Sequence, residues 1–152
     1  MNEITININK RDVYEEVSQT TSYTGAKLVD SDPKAYDRMM TTEADNGQLE
    51  RFWNESCVAV CEKLKKHLAD ERRSEEGLEL RMSLSSGFDE NLVQSMRDEL
   101  FSFFVMNITA KWYVFTNKGE AQKYSAEAAV MLEGVNRKAC YKKRPKRPTY
   151  GN

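Results

Sequence analysis

Three stretches of this chain repeat apolar residues at intervals of three and four, a spacing that commits most of the polypeptide to amphipathic helices packed on one another. The first contains Leu49, Phe52, Trp53, Cys57, Val60, Cys61, Leu64 and Leu68, opened by a start signal at Thr41 to Asp45. The second carries Leu92, Val93, Met96, Leu100, Phe103, Phe104, Ile108, Trp112 and Phe115 on one broad stripe, with Asp89 as its N-cap. The third presents Ala121, Tyr124, Ala128, Met131, Leu132 and Val135 after Asn117-Lys-Gly-Glu120, which reads as a break followed by an Asn-x-x-Glu capping box. Small alanines on that third stripe allow close helix packing.

Two shorter segments follow the other periodicity. Ile4, Ile6 and Ile8 alternate with Thr5, Asn7 and Asn9, and Leu78, Leu80, Met82 and Leu84 alternate with Glu79, Arg81 and Ser83. Each reads as a half-buried strand. They are the closest pairing candidates for each other, in one subunit or between neighbours, because a lone strand leaves its backbone groups unpaired. Between the second strand and the first main helix lies a charged stretch at 70–77, in which that helix runs out. Near the start, Asp12 caps a short helix through Val13, Tyr14 and Val17, broken by the Thr21-Ser-Tyr-Thr-Gly25 cluster. Asp32 and Pro33 open another brief helix through Ala35, Tyr36, Met39 and Met40.

The fold expected is therefore mainly α: a bundle of about three main helices with short N-terminal helices, a minor two-strand β element at about 4–8 and 78–84, and an extended basic C-terminal tail. A length of 152 residues fits one domain, divided into a body at 1–136 and a tail at 137–152. The net charge of -1 conceals the contrast between them. Arg137, Lys138, Lys142, Lys143, Arg144, Lys146 and Arg147 face no acid in the tail, which leaves 16 cations against 24 acids in the body. Body and tail can attract within a molecule or between neighbours in an oligomer. The prolines that space the tail's cations hold it extended. Such a tail suits an acidic protein surface or nucleic-acid phosphates.

No apolar run approaches the roughly 18 residues of a membrane span, and the first residues lack the basic and apolar regions of a secretory signal. Synthesis in the cytoplasm is expected. Three cysteines without a framework argue against secretion. Residues with chemical potential are sparse. His67 is the one histidine and follows Lys65 and Lys66, as a helix-end surface residue does. Cys57 and Cys61 share a helix face, but two thiols do not close a tetrahedral metal site. Glu75 with Glu76, and Asp89 with Glu90, sit beside loops and caps, where acids are favoured anyway. Phosphate-binding glycine loops, nucleophile elbows and metal-binding helix motifs are absent. We expect no enzyme, catalytic residue, metal or cofactor. Contact residues are expected instead: the seven tail cations toward a partner or nucleic acid, and Phe52, Trp53, Leu78, Leu80, Met82, Leu84, Trp112 and Tyr113 at a subunit interface. Phe101, Phe103, Phe104, Trp112, Tyr113 and Phe115 are more rings than one helical stripe needs, and the neighbours Phe52 and Trp53 cannot both point to a bundle centre.

The segments Thr20-Thr-Ser-Tyr-Thr-Gly-Ala-Lys27, Ala35-Tyr-Asp-Arg-Met-Met-Thr-Thr42, Leu49-Glu-Arg-Phe-Trp-Asn-Glu55 and Lys111-Trp-Tyr-Val-Phe-Thr-Asn-Lys-Gly-Glu-Ala121, with the basic end after them, resemble uncharacterised proteins from structural gene modules of tailed phages and prophages of gut bacteria. In plan, a few helices with a strand insertion, the chain is also similar to head-to-tail connector (adaptor) proteins, which form rings beneath the portal. That resemblance implies a virion protein that is a homo-oligomer, with portal and tail or neck proteins as partners. It also implies that the strand at 78–84 stands where such proteins carry an inserted hairpin and that the tail reaches a neighbouring ring. The alternative is a nucleic-acid-binding accessory protein that uses the basic tail on DNA.

Overall fold

A row of three inward isoleucines needs an apolar row opposite, and the chain finds it about seventy residues later. In the computed structural model, which describes residues 2–27 and 40–145, β1 (Asn2–Asn9) runs antiparallel to a strand at Gly77–Leu84. Ile4 lies opposite Met82, Ile6 opposite Leu80 and Ile8 opposite Leu78, so both expected strands pair inside one chain. The sheet has a third member, however. β2 (Leu68–Arg73) flanks β3 (Gly77–Leu84) on its other side, giving the order β1-β3-β2. The two-strand expectation is corrected to three, and the charged stretch at 70–77 is a strand and a tight turn. Its cause is the central strand's second edge, whose backbone groups require partners. Ser83 N–H donates to His67 O at 2.8 Å, and Ser74 and Gly77 close the turn by exchanging N–H bonds.

The helices flank this sheet. α1 (Lys10–Lys27) continues through the Thr-Ser-Tyr-Thr-Gly cluster that was expected to end it. Thr21 and Thr24 donate their hydroxyls to Val17 O and Thr20 O, which satisfies within the helix the groups that otherwise favour turns. The expected helix at 33–39 lies outside the described residues. Thr42 and Asp45 then form a short 3-10 turn in which Thr42 N–H donates to the Asp45 carboxylate at 2.9 Å, leading into α2 (Asn46–Lys63). α2 is shorter than its periodicity suggests. Leu64 is still buried against the core, but Leu68 has left the helix for β2.

α3 (Val93–Thr116) and α4 (Lys118–Ala139) are joined by Asn117 alone and fold back as an antiparallel hairpin. Asn117 is a break but not the expected side-chain cap: its carbonyl receives the Glu120 and Ala121 N–H groups, while its side-chain amide is buried without a partner. Small residues let the pair approach closely. Ala121, Ala128, Gly134 and Ala139 are buried on α4, and a Cβ on Gly134 would sit 2.0 Å from the Glu99 carboxylate. α3 is the central element, contacting α1, α2, α4 and β1. At the middle of the core Trp53 stacks on Phe104 with ring centroids 4.5 Å apart, and Tyr14 meets Trp53 edge-on at 6.5 Å.

Gly77 opens β3 at φ +153, and a Cβ there would lie 2.0 Å from Ile8 O. Gly77→Ala combines a strained backbone with a clash against β1, and should lower unfolding stability by roughly 2–4 kcal/mol. Urea denaturation of the two proteins measures it.

Candidate functional site

The residues expected at a subunit interface fall into two groups. Phe52, Trp53, Leu78, Leu80, Met82, Leu84 and Tyr113 are all buried in the chain's own core. They are corrected from contact residues to core residues, because β1, α2 and α3 supply inside one chain the apolar partner that a second subunit was expected to bring. Both adjacent aromatics, Phe52 and Trp53, are enclosed, Trp53 between Tyr14 of α1 and Phe104 of α3. Trp112 is half-buried against the core. Of the aromatics on α3, Phe115 is the one that is largely exposed, at 72% beside Val114 at 50%. Both belong to the last turns of α3, at the tip of the hairpin. Next to them a shallow groove of about 490 Å³ runs between α3 and α4, lined by Ala110, Lys111, Val114, Lys118, Ala121 and Ser125 among others. Sequence reasoning placed Phe115 on the buried stripe; the clue against this was that α3 is apolar nearly all round near its end, with Val114 and Phe115 on different sides.

The tail cations also divide. α4 continues to Ala139, so Arg137 and Lys138 belong to its last turn and the boundary at 137 shifts to about 140. Lys138 is not available to a partner: its ammonium pairs with the half-buried Glu99 carboxylate and donates to Ser95 Oγ at 2.7 Å. Arg137 is exposed. Beyond the helix the chain docks on the turn before α3, where Lys142 bridges to Phe88 and Lys143 N–H donates to Gly87 O at 2.6 Å. The backbone is thus anchored while the side chains of Lys142, Lys143 and Arg144 stay exposed. Lys146 and Arg147 lie outside the described residues.

Several of the other titratable groups are tied to one another. Tyr14 OH donates to Glu50 at 2.8 Å and Lys10 Nζ pairs with the same carboxylate at 2.7 Å, with the ammonium 5.7 Å from the Trp53 ring centroid. Burial alone would raise the Glu50 pKa, but the hydrogen bonds from Lys10 and Tyr14 outweigh it and hold the carboxyl below its ordinary value. Burial, reinforced by Glu50, drives Tyr14 upward. Burial also pushes both helix thiols up to about 12; for Cys61 the Glu71 carboxylate, which accepts from its Sγ at 2.8 Å, adds to the effect. These thiols stay protonated and are poor nucleophiles. His67, depressed by burial and by Lys66, has one close side-chain neighbour of chemical interest, the exposed Cys140 with Sγ 3.6 Å from Nε2. Among the described residues no group of three or more His, Cys, Asp or Glu side chains is placed to hold a metal ion, and no helix is long and apolar enough to cross a membrane.

Comparison with protein-family models, with curated proteins and with solved structures finds no match to this chain.

Two outcomes follow from this geometry. In the native protein Ellman's reagent should modify Cys140 quickly and leave Cys57 and Cys61 untouched until denaturant is added; rapid titration of all three would contradict the packing. Because the Glu50 carboxyl sits below the ordinary glutamate value of about 4.5 in the fold, its stabilising contribution is complete above about pH 4.5 and is lost as pH falls through the lower folded value. Tyr14→Phe, which removes one charge-assisted bond, should cost about 1 kcal/mol at pH 7 and less below pH 4, as measured by denaturation at both pH values.

Proposed function

We propose that this chain is a structural subunit of a bacteriophage particle, a head-tail connector that assembles as an oligomeric ring between portal and tail. The observation that carries the reading is the layout of the α3–α4 hairpin. At its tip Val114 and Phe115 expose apolar surface, and at its far end the chain emerges as the exposed cations Lys142, Lys143 and Arg144. Twenty-two helical residues of α4 separate these ends, about 33 Å at the helical rise. A strut with an apolar contact at one end and a cationic contact at the other suits a part that joins two different neighbours. Lys10 with Glu50, Lys111 with Glu55 and Lys138 with Glu99 support the same reading, since their ion pairs tie helices to one another. The phage-module resemblance of the segments around Leu49–Glu55 and Lys111–Ala121 supplies the setting, with portal and tail or neck proteins as neighbours and the virion as location.

The test is genetic. A phage lacking the chain should accumulate filled heads and separate tails, and the native chain should restore joining while Phe115→Ser should not. Joined, infectious particles without the chain would overturn the proposal.

A second reading, a nucleic-acid-binding accessory protein, is favoured by the exposure of Lys142, Lys143 and Arg144 next to the anchored backbone. It predicts DNA binding whose logarithm falls with log salt at a slope of at most about -4.5, the value for five phosphate contacts, and that disappears when residues 140–152 are removed. Binding that survives the truncation would rule it out.

A further inference from the structure

The sheet has two edges, β1 and β2, and they are guarded unequally. β2 carries a register break between Leu68 and Asp70 and then four consecutive charges, Asp70, Glu71, Arg72 and Arg73. Bulges and charges are the means by which edges avoid pairing with other chains. β1 has neither. Its eight residues keep an unbroken register with β3 and contain no proline, no lysine and one charge, Glu3. Isoleucine and threonine there favour extended backbone.

Ladder alternation shows what this edge offers. Ser83 bonds to His67 on the β2 side, so the odd residues of β3 address β2 and the even ones address β1, where they meet Ile4, Ile6 and Ile8. The N–H and C=O groups of Glu3, Thr5 and Asn7 therefore point away from the sheet, and all three residues are exposed. Among the described residues none of them has a backbone partner outside the β1–β3 ladder.

We propose that this edge pairs antiparallel with β1 of a second copy of the chain, about a two-fold axis at Ile6. Only residues of equal parity can meet across it, because the outward groups belong to odd positions. Centred on Ile6, the pairing sets Thr5 against Asn7, Glu3 against Asn9 and Ile4 against Ile8, and continues the apolar row across both copies. Charge selects the direction. Glu3 stands at one end of β1 and Arg11, 88% exposed, just beyond the other, so the antiparallel arrangement brings each Glu3 toward the other copy's Arg11. A parallel arrangement stacks Glu3 on Glu3, which is repulsive. The chain's own tail is a poor occupant of the same edge, since Pro145 and Pro148 lack the N–H groups a strand must donate. The result is a six-strand sheet spanning two molecules. An isologous contact closes at two copies, so a ring would require a further surface, for which the hairpin tip is available. The pairing itself does not depend on the phage reading.

Sedimentation equilibrium of the purified full chain, together with amide exchange, tests this. The native chain should show twice the monomer mass at high concentration, with Thr5 and Asn7 amides protected in proportion to the dimer present. The double variant Thr5→Lys, Asn7→Lys should have half that mass and an unchanged circular dichroism spectrum. Glu79→Lys, on the same outward face but in the central strand, should keep the native mass. A monomeric native chain, or a dimer that persists in the double variant with fast Thr5 and Asn7 exchange, would overturn the proposal. Neither result bears on whether phage heads and tails join without the chain.

Discussion

The antiparallel pairing of β1 with β3 is the contact on which the rest of the molecule depends. It ties the first residues of the chain to Gly77–Leu84 and so encloses α1, α2 and β2 in one loop of sequence. The inward faces of both strands are wholly aliphatic, apart from Met82, and every one of those side chains is buried. Such a face is stable only against a second layer. α3 supplies it, with Met96, Leu100, Phe103 and Phe104 in the same continuous core. Once the sheet lies on α3, α2 can be held by the Trp53–Phe104 stack, and α4 closes the other side of α3 through its small residues.

Charge has a different part in this fold. Among the described residues, the pairs that link separate helices are Lys10–Glu50 between α1 and α2, Lys111–Glu55 between α3 and α2, Lys63–Glu133 between α2 and α4, and Lys138–Glu99 within the hairpin. Most are partly exposed, where water weakens the attraction, and such pairs contribute little to stability. Their effect is chiefly to fix how helices are turned relative to one another, while apolar burial supplies the stability. It also means that many carboxylates and ammonium groups are occupied in positioning helices.

Much of this was legible in the residues. Helical spacing located the three main helices, and alternation located β1 and β3 within a residue or two, because both are half-buried elements whose period records their burial. β2 was invisible for the same reason: Leu68-Ala-Asp-Glu-Arg-Arg73 has no apolar alternation, and it is a strand because β3 needs a partner. Burial of the expected interface residues was misjudged because periodicity says that a face is covered, not which chain covers it. The threonines of α1 read as a break because their satisfaction by Val17 and Thr20 carbonyls is a property of the formed helix. The tail's composition was plain, whereas the pairing of Lys138 with Glu99 depends on how the hairpin folds back.

The central claim is that this chain works through its surfaces, as a joint within a particle. The most direct measurement of this proposal is the position of the protein in purified particles of a phage whose genome carries its gene, by electron microscopy of particles whose copies carry a small C-terminal epitope labelled with antibody-bound gold. The account predicts label confined to the neck between head and tail. Label spread over the head surface, or particles that carry none, would contradict it.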